Sequence, residues 1–211
     1  MNKEEFIQEL KKIKINPTEK QMNLLEEFYN LMIEWNKKIN LTRIIEKEEV
    51  YLKHYYDSLT LNKVVDLNNV KSLCDVGSGA GFPGIVIKIM FPEIKVVLID
   101  SLQKRVNYLN EVIKKLELKD IIAVHTRGEE YKGQFEVVTS RAVANIEKLV
   151  KYTMHLVSKN GIFIAMKGNL NEEINIINKA EFKNKYKIHT KNVFYLPKEN
   201  SIRTLLVLKN K

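Results

Sequence analysis

A doubly wound α/β fold is what this sequence predicts: a seven-stranded, mostly parallel sheet with a helical extension at its N-terminus. Three observations predict it. From Val70 onward, short apolar runs alternate with helical stretches, the pattern of parallel strands joined by crossover helices. The first of these runs ends at Asp75 and breaks into glycines at 77, 79, 81 and 84, as when a strand turns tightly into a helix whose N-terminus meets a ligand. Residues 1 to 60, in contrast, read as helix throughout.

In chain order, Phe6, Ile7, Leu10 and Ile13 form the apolar stripe of a first helix. Asn16-Pro17-Thr18 breaks the chain, and Thr18 caps a long second helix with a wide apolar face: Met22, Leu24, Leu25, Phe28, Tyr29, Leu31, Met32 and Trp35. A third helical segment runs from Glu46 to Leu61 and includes His54, Asp57 and Ser58. Strands follow at 70–75, 95–100, 121–125, 135–140 and 161–167, with helices at 84–91, 102–117 and 145–157. The tail reads as a helix at 170–181 and then two strands, Lys185 to Tyr195 and Arg203 to Leu208, antiparallel to each other. Two parts are expected, a helical extension over 1–65 packed on a Rossmann-like domain over 66–211; no repeat or low-complexity linker separates them.

The 211 residues are enough to bury a full core. No apolar run approaches the roughly 20 residues a membrane span requires, and the N-terminus lacks the apolar core of a signal peptide, so a cytoplasmic protein is expected. The single cysteine, Cys74, lies in an apolar strand and reads as an inert core thiol. Lys and Arg number 35 against 26 Asp and Glu, a net charge of +9 that favours a polyanionic partner. Nothing in the pattern calls for a metal.

The stretch Gly79-Ala-Gly81-Phe-Pro-Gly84 matches the dinucleotide pattern G-x-G-x-x-G, but Asp75 ahead of it sets a carboxylate beside the loop, where a pyrophosphate would be repelled. A sulfonium carries a positive charge and no phosphate. Asp75-x-Gly77-x-Gly79-x-Gly81 therefore reads as the form of the loop that takes S-adenosylmethionine. Asp100, at the end of the second strand, suits the two ribose hydroxyls of either cofactor, with helix capping as its alternative role. Gly128 and Glu129, after the third strand, are placed for the edge of an adenine.

Pyrimidine C5 methylation needs a cysteine nucleophile, and Cys74 is badly placed for one. Exocyclic amine methylation commonly uses an Asn/Asp-Pro-Pro-aromatic turn after the fourth strand, where this chain has Thr139-Ser140-Arg141-Ala142-Val143. A ring nitrogen such as guanine N7 already offers a lone pair and needs positioning rather than a base. That edge is hidden in A-form RNA, so the target belongs in a loop or an unfolded stretch. Arg141, between apolar flanks, reads as placed for a partner, and Lys167, Arg203, Lys104 and Arg105 are the other candidate RNA contacts.

At these residues the chain resembles the ribosomal small-subunit RNA methyltransferase G family, also called glucose-inhibited division protein B. The resemblance covers nearly the whole chain: Trp35-Asn36-x-x-Ile39-Asn40-Leu41-Thr42, His54-x-x-Asp57-Ser58, Asp75 through Gly84, Asp100-Ser-Leu-x-Lys104-Arg105, Ser140-Arg141-Ala142 and Lys167-Gly168. It implies a class I methyltransferase fold and transfer of a methyl group from S-adenosylmethionine to N7 of a guanine, guanine 527, in the 530 loop of 16S ribosomal RNA. It also implies cofactor contacts from Gly77, Phe82, Gly128, Glu129 and Arg141. Arg141 would then meet the cofactor carboxylate, whereas the residue pattern alone sends it to RNA. Two other functions fit the residues: a methyltransferase of another nucleotide or a small molecule, and a ribosome-binding assembly factor with a vestigial cofactor pocket. His54 and Asp57 read more as packing and capping than as chemistry.

Overall fold

The computed structural model describes residues 1–141, 144–171 and 173–211. Ala142 and Val143, one apolar flank of Arg141, and Glu172, within the expected tail helix, lie outside the described residues.

Helix α1 (Lys3–Lys12) starts at Asn2 and helix α2 (Glu19–Ile39) at Thr18, each through a capping box in which the cap side chain and the third helical residue satisfy each other's backbone N–H groups. α2 ends at Asn40 in the left-handed conformation (φ 51°, ψ 62°), a residue type that tolerates it. The third helical segment is composite: α3 (Lys47–Glu49), a π-helix (Val50–Tyr56), α4 (Asp57–Leu59) and a 3-10 turn (Thr60–Lys63). The sequence foresaw the helix but not its widening, and π-turns of this kind recur at functional sites.

The sheet is built from β1 (Ser72–Val76), β2 (Lys95–Asp100), β3 (Ile121–His125), β4 (Phe135–Arg141), β5 (Val157–Lys167), β6 (Tyr186–Tyr195) and β7 (Ile202–Asn210) in the order β3-β2-β1-β4-β5-β7-β6. β1 to β5 are mutually parallel; β7 is antiparallel to both β5 and β6. The order reverses between β1 and β4, and the carboxyl ends of strands at such a switch point are where open α/β sheets bind ligands. Around the sheet lie α5 (Gly84–Met90), α6 (Gln103–Lys115), α7 (Ile146–Thr153), α8 (Ile174–Asn178) and α9 (Ala180–Lys185).

Two stretches differ from expectation. β5 begins at Val157, not at 161, because Val157 pairs with Phe135 while Val137 pairs with Ile162, so a bulge takes up the polar Ser158-Lys159-Asn160 between the expected helix and strand. Gly161 makes the bulge possible, since a Cβ there would lie 2.7 Å from the Phe135 carbonyl oxygen. The tail helix is two helices parted at Lys179, which is extended (φ −60°, ψ 141°). Ile177 and Phe182 are both buried, yet on one unbroken α-helix they would stand roughly 140° apart; the break turns both inward.

One apolar cluster runs through the helical segment and the sheet alike: Phe6, Leu10, Leu25, Phe28 and Tyr55 share it with Phe82, Ile85 and Leu98. Each such fully buried side chain contributes about 1.5–3 kcal/mol. Phe28 packs on Tyr55 and Phe82 with ring centroids 6.0 and 5.4 Å apart, so helix α2 bears directly on the glycine loop.

Candidate functional site

The loop after β1 is tied to its neighbours through backbone groups. The N–H groups of Gly77 and Ser78 donate to the Ile99 carbonyl at 2.7 and 3.0 Å, and the Ser78 hydroxyl donates to the Asp75 carbonyl. Gly77, Gly79 and Gly81 have φ of 79°, 57° and 93°, where glycine alone is unstrained. Two carboxylates strap the loop. Asp100 Oδ2 accepts the Gly79 N–H at 2.8 Å, and Asp75 Oδ2 accepts the Gly84 N–H at 2.9 Å.

Asp75 sits beneath the loop rather than beside it. Its carboxyl is fully buried, its Oδ1 has no hydrogen-bond partner among the described residues, and burial pushes its pKa up to about 7 against the partial relief of the Gly84 N–H and of Arg141. A folded-state pKa above the unfolded value favours folding when the group is protonated. The contribution from Asp75 is therefore full below about pH 4 and lost as pH rises through about 7, with a slope of at most about 1.4 kcal/mol per pH unit. Chemical denaturation of wild type and Asp75→Asn across pH 4 to 8 should show wild type losing stability relative to the variant over that window; parallel curves would refute the assignment.

Asp100 does more than the sequence requires of it. Besides the Gly79 N–H, it accepts the Leu102 N–H at 2.9 Å, which opens α6, and its Oδ2 stands 3.5 Å from Arg105 Nη1. The position expected to meet a ribose is thus also the one that starts the helix. Arg105, one of the candidate RNA cations, is paired here, while its neighbour Lys104 is exposed.

A cavity of about 230 Å³ opens over the ends of β1, β2 and β3, lined by Gly77, Asp100, Ser101, Thr126, Gly128, Glu129 and Tyr152 among others. It brings together Gly77, Asp100, Gly128 and Glu129 as the sequence expects. Gly128 is glycine for want of space: a Cβ would lie 2.7 Å from Val76 Cγ1 and 3.0 Å from the Tyr152 carbonyl oxygen. Tyr152, on α7, is a wall residue that carries no motif and was not foreseen. Cys74, within β1, is buried with its thiol pKa pushed well up by burial, consistent with an inert core role.

A second cavity, about 310 Å³, lies across the ends of β4, β5 and β7 and is lined in part by His54, Asp57, Arg141, Lys167 and Arg203. Arg141 ties this second cavity to the helical segment and the glycine loop. Its Nη1 donates to the Lys53 carbonyl at 2.9 Å and to Asp57 Oδ2 at 3.1 Å, its Nη2 donates to His54 Nδ1 at 3.1 Å, and its Cζ lies 5.2 Å from the centroid of the Phe82 ring. Phe82 is buried, with the His54 ring stacked on it at 4.2 Å.

His54 faces Thr42 Oγ1 with Nε2 at 3.0 Å; Thr42 in turn accepts the Ile44 N–H and is held through its own N–H by Asn36 Oδ1. The Asn36 and Thr42 motif thus serves to place His54. With a guanidinium at Nδ1, the ring is neutral with its proton on Nε2, and burial and Arg141 lower its pKa to about 3. Its one lone pair is committed, so it cannot act as a base.

Arg203 donates from Nε to Asp57 Oδ1 at 3.0 Å. Lys167 is bound to the Ala144 carbonyl and pairs with Glu173 Oε1 at 2.9 Å, so neither cation is a free surface charge. His54 and Asp57 are the residues that the sequence weighed as packing and that the fold delivers into the site. Gly79, Gly81 and Asp75 form and brace the loop without lining either cavity.

A family model described as rRNA small subunit methyltransferase G matches residues 21–203. A protein named ribosomal RNA small subunit methyltransferase G from Macrococcus caseolyticus is 42% identical, with 100% of this chain and 91% of that protein covered. The one from Bacillus subtilis is 41% identical, covering 99% and 90%. Among solved structures, a ribosomal protein L11 methylase from Lactobacillus delbrueckii subsp. bulgaricus superposes with a TM-score of 0.57 at 18% identity over 74% of this chain and 77% of that one, a likeness of fold. Among the described residues, no helix is long and apolar enough to cross a membrane.

Proposed function

The chain belongs to the rRNA small subunit methyltransferase G family, and from that premise we propose that it methylates N7 of a guanine in the 530 loop of 16S ribosomal RNA, with S-adenosylmethionine as methyl donor. The observation that carries this reading is the family match over residues 21–203. Two cavities on either side of the switch point of the sheet support it, one walled by glycines and carboxylates and the other by arginines. The 16S RNA or the small subunit is the partner, and the cytoplasm is the site of action.

S-adenosylmethionine supplies an electrophilic methyl group on a sulfonium. In this reading Asp100 accepts from the ribose hydroxyls, Gly128 and Glu129 meet the adenine edge, and Gly77, Gly79 and Gly81 let the backbone come close to the ligand. Asp75 keeps the loop in shape from beneath through its bond with the Gly84 N–H. Phe82 is buried and lines neither cavity but packs on Arg141, which lines the substrate cavity and in this reading can also serve the cofactor carboxylate.

The lack of a base fits the target. Guanine N7 presents a lone pair with no proton to remove, and the one histidine of the substrate cavity has its lone pair occupied by Arg141. Rate then comes from placement of N7 in line with the methyl group and from fixed dipoles around it. Lys104, Arg105, Lys167 and Arg203 are the proposed RNA contacts, with the net charge of +9 adding long-range attraction.

Mapping N7-methylguanine in small-subunit RNA from a strain lacking this protein tests the reading. Loss of one methyl group in the 530 loop is expected, and an unchanged pattern would overturn it.

A further inference from the structure

Arg141 ends β4 and Arg203 opens β7, and β5 runs between those strands, so their backbones stand about 10 Å apart. Two guanidiniums facing one cavity from that distance repel each other and have long, flexible stems. One carboxylate brings them together: Asp57 Oδ2 accepts from Arg141 at 3.1 Å and Oδ1 from Arg203 at 3.0 Å. Asp57 is more than nine-tenths buried and comes from α4, in the helical segment ahead of the sheet, so it reaches over the end of β5 from outside the strand array. The rest of Arg141's polar surroundings come from the same segment, from the Lys53 carbonyl and His54 Nδ1.

We propose that Asp57 is a positioning residue for the methyl transfer: it holds Arg141 and Arg203 as a fixed pair of donors on one wall of the substrate cavity, ready for the oxygen acceptors of the target nucleotide. The proposal rests on the RNA methyltransferase reading above. A carboxylate pointed into an RNA site is otherwise an oddity, since it repels phosphate. Its placement makes sense because each oxygen of Asp57 is already taken by a guanidinium, which leaves a net positive wall whose geometry is set before RNA arrives. The helical segment is then part of the active site and not only a cover for the sheet.

The role separates from simple electrostatics in one experiment. Asp57→Asn keeps the shape, removes the negative charge and leaves one amide N–H₂ facing a guanidinium. If only charge mattered, removing a carboxylate would leave RNA binding equal or tighter and methylation as fast as before. As a positioning residue, Asp57 instead controls the rate. At saturating S-adenosylmethionine, methylation of small ribosomal subunits by Asp57→Asn should show kcat lower by about 10- to 100-fold, with subunit affinity unchanged or improved and the fold retained at a melting temperature several degrees below wild type. The Asp57→Asn/Arg203→Met double variant should lose less than the product of the two single losses.

A kcat within about twofold of wild type, or single losses that multiply in full, would overturn the proposal. If Asp57→Asn does not fold, Arg203→Lys carries the test: it keeps the charge but loses the planar Nε–H contact, and wild-type kcat in that variant overturns the proposal equally. Should the unaltered protein transfer no methyl group to small-subunit RNA, the function reading itself falls. Should it do so while Asp57→Asn keeps pace, only the positioning role falls.

Discussion

Gly84→Ala should unfold the protein at markedly lower temperature and abolish S-adenosylmethionine binding, although it adds a single methyl group. A Cβ at this position would lie 2.2 Å from Leu98 Cδ2, 2.9 Å from Asp75 Oδ2 and 3.1 Å from Asp75 Cβ. None of these can yield, for Leu98 and Asp75 are both fully buried between the first turn of α5 and the sheet. The helix must move instead. Moving it lengthens the 2.9 Å bond from the Gly84 N–H to an Asp75 carboxyl whose other oxygen has no partner among the described residues. Overpacking costs about 1–3 kcal/mol and a buried polar group left unpaired about as much again. Together these lower the melting temperature of a domain this size by roughly 5–20 °C. Gly79 is the control. Its φ of 57° strains any other residue, but a Cβ there finds nothing nearer than the Gly77 carbonyl oxygen at 3.9 Å. Gly79→Ala should therefore cost about 1–2 kcal/mol and fold, and a bulky residue at 79 should block the cofactor without dissolving the fold. Equal melting curves for wild type and Gly84→Ala would mean that the loop is not packed as described.

That loop was legible in the sequence because its requirements are local. Positive φ and close approach select glycine whatever lies around it, so the spacing at 77, 79, 81 and 84 shows in one dimension. The parallel strands show for a similar reason: buried on both faces, they read as continuous apolar runs. The Thr18 cap, the closing antiparallel pair and the inert Cys74 also follow from neighbours in the chain. What escaped was fixed by distant partners. Asp57 meets Arg141 and Arg203 at separations of 84 and 146 residues, and no local pattern tells a carboxylate that bridges two arginines from one that starts a turn. Arg141 could be sent to RNA or to the cofactor because the sequence did not reveal that Asp57, His54 and the Lys53 carbonyl hold it at the second cavity. Tyr152 was missed because a tyrosine on an amphipathic helix carries no mark of the wall it completes. The widening of the helix at Val50–Tyr56 and the split at Lys179 are likewise tertiary choices, made so that His54 meets Arg141 and so that Ile177 and Phe182 both face inward.

Asp100→Ala should reduce S-adenosylmethionine affinity by about 100-fold or more while the chain still folds. The carboxylate holds the loop at its apex through Gly79 and starts α6 through Leu102, at 2.8 and 2.9 Å. Charge-assisted hydrogen bonds of this kind contribute about 1.5–3 kcal/mol each. Part of that is recovered in the variant because Leu102 is exposed and Gly79 half-buried, so water can reach the freed N–H groups, and the stability loss should stay near 2–3 kcal/mol. Binding has no such recourse. The ligand loses the acceptor proposed for its ribose and also the loop shape against which it packs, and each 1.4 kcal/mol forfeited is tenfold in affinity. Two companion variants apportion the effect. Asp100→Asn keeps the size and one acceptor but turns an N–H₂ toward either the Gly79 or the Leu102 N–H, so it should bind nearly as poorly as Asp100→Ala. Arg105→Met removes only the 3.5 Å ion pair on a side chain that is 34% exposed, an interaction largely screened by solvent and worth less than about 1 kcal/mol, so cofactor affinity should change by no more than a few fold. Calorimetric titration of the three variants with S-adenosylmethionine decides between the roles. A large loss in Arg105→Met beside a small one in Asp100→Ala would make the arginine the binding group and reduce Asp100 to a helix start. The opposite ranking is expected, because the carboxylate touches the glycine loop directly and the arginine reaches it only through the carboxylate.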